Sequence, residues 1–175
     1  MSLNKILVAL GLDSLIGALI SVVSALVIFL YYVSIAQSTT LEGIARVIDG
    51  DTLELNGAVI RLHGIDAPEA DQTCGDRKGA PYRCGRVATQ ALIEWIGDQP
   101  IRCGTRNRDQ YGRWIAVCTL ADMDLNARLV RNGHALAYRR FSRDYVAAED
   151  EAREQNQGMW AGTFTPPWDW RRGVR

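Results

Sequence analysis

Hydrophobic and polar positions divide the chain into an apolar N-terminal run and a longer region of alternating patterns. Leu15–Ala36 is largely apolar, and no charged residue occurs from Ser14 to Leu41. This run is long enough to span a bilayer, which predicts an N-terminal transmembrane anchor within residues 1–36. Ser34-Ile-Ala36 would also suit signal-peptide cleavage, which would release a secreted protein.

Beyond a short polar linker at residues 37–43, the pattern changes to that of β-strands. From Ile44 to Ile65, apolar residues alternate with charged ones or flank them, which is typical of half-buried strands. The Asn56-Gly57 pair between two such runs predicts a hairpin with a two-residue turn. We therefore expect a rigid sheet to carry the charged side chains of this segment.

The register of this hairpin brings charged side chains together. With the two-residue turn, Asp51 becomes a diagonal neighbour of Arg61 across the two strands. Strict alternation would place Arg61 and Asp66 on opposite faces of one strand. Their convergence requires either a bulge, for which Gly64 is a candidate, or a strand that ends before Asp66.

These charged residues are chemically suited to one site. Asp51 and Asp66 supply hard oxygen ligands of the kind that Ca²⁺ and Mg²⁺ prefer. Arg61 offers a bidentate fork for a phosphate, and Glu69 could act as a general base on a water molecule. Ordinary solvated charges on a surface hairpin are the alternative, and the local pattern does not separate the two interpretations.

Three later segments have the features of helices. Gly85–Gly97 is amphipathic, and Asp124–Gly133 begins with a capping aspartate and ends with glycine. Tyr145–Gln157 is polar and is stopped by the following glycine. We therefore expect three helices after the first hairpin.

A second hairpin is predicted between the first two helices. Ile101–Cys103 and Trp114–Leu120 have strand character, and the chain between them contains turn residues. If Gln110-Tyr111 is the loop, Cys103 lies opposite Cys118, within reach of a disulfide.

The chain has four cysteines, which makes two disulfides plausible. Cys103–Cys118 leaves Cys74–Cys84 as the second pair, although four cysteines allow three connectivities. A zinc site is the rival interpretation, but the spacing lacks the close cysteine pairs that such sites use. Disulfides are typical of an oxidising compartment, which agrees with an exported protein.

The formal net charge is zero, so no overall field attracts a polyanion. Nucleic-acid binding would therefore depend on local positive charge. Tyr138–Arg143 combines aromatic and basic side chains, and we take Tyr138, Arg139 and Arg140 as candidate substrate contacts. A solvated loop is the alternative for this segment.

Four motifs, in order along the chain, resemble the staphylococcal nuclease family. They are Ile48–Thr52, Arg61–Glu69, Asp109–Arg113 and Leu129–Gly133. The similarity covers residues 44–160 and leaves 161–175 as a Trp- and Arg-rich C-terminal extension. The resemblance implies an α+β fold that is mainly β, a five-stranded OB-type barrel with about three helices. It also implies calcium-dependent phosphodiesterase activity on DNA and RNA.

The resemblance assigns a role to each matching residue. It implies Asp51 and Asp66 as calcium ligands, Ala67 as a main-chain ligand, Arg61 and Arg113 as phosphate contacts, and Glu69 as the general base. The best-known member of the family has threonine in place of the alanine, which is a mild change for a main-chain ligand. Cleavage is expected to leave a 3′-phosphate and a 5′-hydroxyl, on single strands more readily than on duplexes.

The sequence therefore predicts a membrane-anchored, exported, calcium-dependent nuclease whose domain lies in the periplasm or outside the cell. DNA or RNA and a lipid membrane are its expected partners, and no protein partner is indicated. One alternative is a non-catalytic module on the same barrel that binds single-stranded nucleic acid or a protein. Another is a structural envelope protein whose hairpin charges only make a sheet soluble.

Overall fold

The computed structural model describes residues 12–35 and 39–175, which belong to two separate compact units. The first unit contains the 24-residue helix α1, Leu12–Ile35. Apolar side chains along its middle, from Leu19 to Ile28, are exposed. In the described part of the chain, no helix meets the length and apolarity needed to cross a membrane. The predicted cleavage position at Ala36 lies outside the described residues.

A closed five-stranded barrel forms the centre of the second unit. In chain order the strands are β1 Thr40–Val47, β2 Thr52–Leu55, β3 Ala58–Leu62, β4 Ile65–Asp66, β5 Cys74–Gly75, β6 Pro81–Tyr82, β7 Pro100–Arg108, β8 Trp114–Leu120, β9 Met123–Asp124 and β10 Leu136–Ala137. The sheet has the order β3-β2-β1-β7-β8-β9, and a parallel pairing of β3 with β8 closes it. Two further pairs, β4–β10 and β5–β6, lie outside this sheet. The expectation of a mainly β barrel of OB type is confirmed.

Helices cover the barrel and extend beyond it. They are α2 Cys84–Ile96, α3 Leu125–Arg131, α4 Val146–Glu154, a 3₁₀ turn Gly158–Ala161 and α5 Pro167–Trp170. The first three are the predicted helices, and the Asp124 carboxylate caps α3 by accepting from the Ala127 N–H at 2.9 Å. The 3₁₀ turn and α5 carry the chain into the C-terminal extension, where no helix was expected.

Two groups of buried side chains hold this unit together. The larger fills the barrel with aliphatic residues of the strands and of α2 and α3, such as Leu53, Ile60 and Leu92. The smaller consists of Cys74, Cys84, Leu136 and Met159, with aromatic residues of the C-terminal extension packed against them. The extension therefore packs against a second core, which includes the disulfide that closes the loop after β4.

The first hairpin has the predicted register, with Thr52 opposite Arg61. Its turn residues Asn56 and Gly57 have φ angles of 53° and 78°, as the predicted two-residue turn requires. At the other end, Gly64 has a φ of 70° and separates β3 from β4. The strand thus ends before Asp66, which was the second of the two routes expected to bring Arg61 and Asp66 together.

The second hairpin pairs Cys103 with Cys118 as predicted, but its loop is longer than Gln110-Tyr111. Arg108 pairs with Trp114, so the loop assumed from the sequence is wrong. A β-bulge between Thr105 and Asn107 shifts the register by one residue and restores the cysteine pairing. A longer loop and a bulge therefore compensate for each other.

Both predicted disulfides are present, Cys74–Cys84 and Cys103–Cys118. The zinc interpretation is wrong because all four cysteines are bonded in pairs. Strand β1 also begins earlier than expected, at Thr40 and not near Ile44. Residues 40–44 pair with β7, so most of the predicted linker belongs to the barrel.

Candidate functional site

Three charged side chains meet where the first hairpin ends. Arg61 on β3 forms ion pairs with Asp51, just before β2, and with Asp66 on β4. Its Nη2 lies 2.7 Å from Asp66 Oδ1. The hairpin register makes Asp51 a diagonal neighbour of Arg61, and the turn at Gly64 returns Asp66 to the same guanidinium.

The two carboxylates of this group are buried, with exposed fractions of 3% for Asp51 and 0% for Asp66. Burying a carboxylate is costly unless it is paired and hydrogen-bonded. The second oxygen of Asp51 accepts from the Ala67 N–H at 2.7 Å, which satisfies that need. The Asp49 carboxylate accepts from the Asp51 N–H at 3.0 Å and fixes the turn that carries Asp51. The arrangement is thus a rigid site with two buried negative charges.

Glu69 lies at the edge of this group and is connected to it through Arg171. The Arg171 Nη1 lies 2.8 Å from Glu69 Oε1 and 3.1 Å from Asp66 Oδ1, and Nη2 lies 2.7 Å from Asp66 Oδ2. Burial lowers the pKa of Arg171, but the hydrogen bonds to Asp66 and Glu69 outweigh it and raise that pKa above its ordinary value. Arg171 therefore belongs to the site, which the sequence analysis did not predict.

Two residues fix the main chain that carries Glu69. Gln72 is fully buried, and its side-chain oxygen accepts from the Glu69 N–H at 3.2 Å. Gly85, in the first turn of α2, packs directly against the Glu69 carbonyl, where a Cβ atom would overlap it. The loop after β4 is therefore held between α2 and a buried amide.

We expect Gly85→Ala to displace Glu69 and reduce activity. A displacement of about 1 Å at a reacting group can lower rates up to ~10²-fold, and overpacking costs about 1–3 kcal/mol of stability. Rates of the phosphodiester cleavage expected from the sequence, and thermal unfolding midpoints, would measure both effects. Gly104→Ala is the control, because the added Cβ would meet its first neighbour only at 4.0 Å. Normal activity and stability of Gly85→Ala would contradict the proposed packing.

Arg113 is paired with an acidic residue of its own loop. It precedes β8, and its Nε donates to Asp109 Oδ2 at 2.7 Å. Burial acts to raise the pKa of Asp109, but hydrogen bonds from Arg113 and Tyr111 outweigh it and lower that pKa below its ordinary value. Arg113 is partly exposed, and its predicted phosphate contact stays a prediction.

The candidate substrate contacts lie beside the site, on the segment that follows β10. The Tyr138 N–H donates to the Gly64 carbonyl at 2.9 Å, and the Tyr138 ring stacks on Trp168 with centroids 5.6 Å apart. Arg139 is paired with Glu149, and Arg140 lies over the Phe141 ring. The predicted patch is therefore next to the charged group, and α5 contributes one of its aromatic rings.

This patch forms part of a cleft of about 700 Å³ between β10, α4 and the C-terminal extension. Five arginines and one glutamate line it, together with aromatic and apolar side chains. The lining arginines are Arg139, Arg140, Arg153, Arg171 and Arg172. Four of the five are paired with carboxylates: Arg139 and Arg153 with Glu149, Arg171 with Asp66 and Glu69, and Arg172 with Asp169. The cleft therefore offers these guanidinium groups to a polyanion only when the pairs open.

The donor groups fit a hard divalent cation. Asp51 and Asp66 offer buried carboxylate oxygens, which Ca²⁺ and Mg²⁺ prefer, and their present partners are the cationic groups of Arg61 and Arg171. Within residues 12–35 and 39–175, no cluster of three or more His, Cys, Asp or Glu side chains is arranged to hold a metal. A cation here would therefore take two carboxylates and complete its shell with main-chain and water oxygens.

Sequence reasoning missed Arg171, Gln72 and Gly85. Arg171 follows Pro166-Pro167 and a Trp-Asp-Trp run, a stiff aromatic segment whose docking position has no local signal. Gln72 lies in a polar loop, where burial is not expected. Gly85 lies in the first turn of a predicted helix, where glycine is unfavourable. Its presence there was a signal of close packing.

Comparison with known proteins agrees with this geometry. A family model described as "Staphylococcal nuclease homologue" matches residues 59–162. The succinoglycan biosynthesis protein ExoI of Rhizobium meliloti (strain 1021) is 39% identical over 121 residues, which are 67% of this chain and 63% of that protein. This chain therefore spans less than two thirds of the length of the Rhizobium protein.

Two enterobacterial proteins match over almost their whole lengths. An uncharacterized endonuclease of Escherichia coli O157:H7 is 31% identical over 154 residues, 83% of this chain and 94% of that protein. A micrococcal nuclease of Shigella flexneri is 30% identical over an alignment of 183 residues, 94% of this chain and 98% of that protein. The family match covers more than half of the chain and includes Arg61, Asp66, Glu69 and Arg113. The chain therefore belongs to the staphylococcal nuclease homologue family.

Proposed function

We propose that the protein is a metal-dependent nuclease that hydrolyses phosphodiester bonds in DNA, RNA or both. The observation that carries this proposal is the meeting of the buried Asp51 and Asp66 carboxylates on Arg61, with Glu69 beside them. A structural hairpin has no need to bury two carboxylates, since buried charges reduce stability unless they are fully paired. Metal dependence is a property of the family to which the chain belongs.

Calcium is the proposed ion, held by the side chains of Asp51 and Asp66 and by the main-chain carbonyl of Ala67. When bound, the ion supplies a positive charge that polarises the phosphate and lowers the pKa of a bound water. Support for calcium comes from the hardness of these ligands and from the resemblance to the staphylococcal nuclease family.

Each side chain of the site has a proposed role in the reaction. Glu69 accepts a proton from the attacking water, since it lies at the edge of the group and is partly exposed. Arg61 donates to phosphate oxygens and stabilises the negative charge that develops on them. Arg113 supplies a second guanidinium after leaving Asp109. The water oxygen bonds to phosphorus as the P–O5′ bond breaks, and the leaving O5′ takes a proton from solvent, which leaves a 3′-phosphate and a 5′-hydroxyl.

The arginine-lined cleft is the proposed path of the substrate strand. Tyr138 and Trp168 offer aromatic surface to bases, and Arg139 and Arg140 offer charge to the backbone. Stacking of bases on aromatic side chains, combined with backbone contacts, favours single strands, because the bases of a single strand can unstack and present their faces to the protein. A preference for single strands over duplexes is therefore part of the proposal.

A cleavage assay with the full-length oxidised protein tests this function. Single-stranded DNA should be cut in calcium and left intact when a chelator removes the ion. Parallel reactions with Mg²⁺ would identify the ion. Cleavage that persists in chelator would overturn the metal-dependent mechanism.

A second candidate function is a non-catalytic module that binds single-stranded nucleic acid. Two observations favour it: Arg171 occupies Asp66 and Glu69, and Arg113 is paired with Asp109. A folded protein that binds single-stranded DNA but leaves it intact in calcium would establish this function and sink the nuclease assignment.

We further propose that the N-terminal unit attaches the protein to a membrane and that the second unit works outside the cytoplasm. Support comes from the uncharged run between Ser14 and Leu41, the exposed apolar side chains of α1, and the two disulfides. Cell fractionation followed by protease treatment of intact spheroplasts would test both points. Recovery of the protein in the soluble, protease-protected fraction would contradict them.

A further inference from the structure

The C-terminal extension reaches the carboxylates of the site through Arg171. This residue directly follows α5 and contacts both Asp66 and Glu69, from which it is separated by 105 and 102 residues. The contacts are charge-assisted hydrogen bonds, and the two to Asp66 are bidentate. Such bonds are stronger than hydrogen bonds between neutral groups. An arginine outside the matched family region thus occupies the two acidic residues on which the proposed reaction depends.

The extension is anchored by main-chain contacts before Arg171, so this contact does not depend on a loose tail. Thr163 exchanges two main-chain hydrogen bonds with Gly75, at 2.8 and 3.1 Å. The Gln72 amide donates to the Thr165 carbonyl at 2.7 Å, and the same side chain holds the Glu69 N–H. The loop that carries the proposed base therefore also fixes the segment that delivers Arg171.

A cation and Arg171 compete for the same oxygen. Asp66 Oδ2 accepts from Arg171, while Asp66 Oδ1 is shared between Arg61 and Arg171. The two arginines differ in exposure and in partners. The Arg61 side chain is 18% exposed and pairs with both Asp51 and Asp66, whereas the Arg171 side chain is 39% exposed and pairs with only one of these two. Arg171 is therefore the group that an incoming cation displaces.

An Arg171 side chain released from Asp66 already lies in the arginine-lined cleft. It is next to Arg172 and to the stacked rings of Tyr138 and Trp168. A guanidinium released from Asp66 at this point lies between the carboxylates and the proposed strand path. Phosphate is the ligand that best matches its planar, bidentate donor geometry.

We propose that Arg171 is a third phosphate-binding arginine of the site: it rests on Asp66 and Glu69 in the free protein, and transfers to a backbone phosphate of the substrate strand when a cation takes Asp66. This inference rests on the proposed function, because it assumes the same cation and strand path. It adds a substrate contact from the C-terminal extension and makes cation and strand binding mutually supportive.

Two binding measurements on Arg171→Met test the proposal without relying on turnover. The first is calorimetric titration of calcium into the protein without nucleic acid. Because the competing guanidinium is gone, the variant should bind calcium roughly tenfold to a hundredfold more tightly than the wild type. Arg171→Lys, which keeps the charge but loses the fork, should lie between them.

The second measurement is the salt dependence of binding to a short single-stranded oligothymidylate with phosphorothioate linkages, in calcium. The logarithm of the binding constant falls linearly with the logarithm of the salt concentration. In Arg171→Met, which loses one phosphate contact, this slope should be smaller in magnitude than in the wild type by about 0.7. Arg46→Met is the matched control, because this exposed arginine on β1 pairs with Glu54 and does not line the cleft. Thermal unfolding of each variant would establish that it is folded.

Tighter calcium binding together with a smaller salt slope supports the proposal. An unchanged calcium affinity overturns it, since Arg171 would then not compete for Asp66. Tighter calcium binding with an unchanged salt slope overturns it as well, because Arg171 would only cover the carboxylates. These outcomes are independent of cleavage, so a failure of the nuclease function itself would be recognised separately by intact DNA with the wild type.

Discussion

Replacing Glu69 with glutamine is expected to lower the rate of DNA cleavage by about 10²–10⁴-fold, the usual contribution of a general base. Glutamine has the same shape and keeps a side-chain oxygen that can accept from Arg171, so the C-terminal segment should stay in place. Under the proposed mechanism, the variant loses only the ability to take a proton from water. The loss should therefore fall on kcat, with a smaller effect on KM.

Single-turnover cleavage of single-stranded DNA at saturating calcium would measure this effect. Asp71→Asn is the matched control, since it removes an exposed carboxylate two residues further along the same loop. It should cleave at close to the wild-type rate. Glu69→Gln activity within a few-fold of the wild type would assign the base to another group, although the metal and phosphate contacts could remain as proposed.

The parts of the site that were predictable from the sequence depend on local geometry. The Asn56-Gly57 turn fixes the strand register, and that register alone places Asp51 beside Arg61. The same logic paired Cys103 with Cys118, although the loop was misjudged. That success depended on a bulge near Arg106, which has no recognisable sequence signal. The correct cysteine pairing was therefore predicted from an incorrect loop. The barrel itself was expected only because four motifs resembled a known family.

The parts that could not be predicted depend on contacts between distant segments. Arg171 and Asp66 are 105 residues apart, and no period or turn signal connects them. Their contact follows from the pairing of Thr163 with Gly75 and from the buried Gln72 amide, which are themselves set by tertiary packing. Arg113 has a local partner instead. It pairs with Asp109 four residues earlier, and its phosphate contact stays a prediction.

Removing the central guanidinium should destabilise the protein more than any other single change at this site. Arg61→Met leaves Asp51 and Asp66 buried with one partner fewer each, and breaking a buried ion pair typically costs about 3–5 kcal/mol. Arg171 still reaches Asp66, so Asp51 should account for most of the loss. Urea unfolding in chelator, with oxidised protein, would measure the free energy of unfolding.

Calcium should restore part of this stability if the two carboxylates form a cation site. An ion at 100 times its dissociation constant adds about 2.7 kcal/mol to the folded state, and the variant gains more because its carboxylates lack Arg61. Arg46→Met is the control: it breaks a cross-strand arginine–carboxylate pair on neighbouring strands, but an exposed one whose loss should cost at most ~1 kcal/mol with no calcium dependence. Nuclease activity of Arg61→Met should stay low even when calcium has restored the fold, because the phosphate contact is lost. Equal stabilisation of Arg61→Met and Arg46→Met by calcium would place the ion elsewhere. Arg61 would then stabilise the fold, and the two carboxylates would have no role in metal binding.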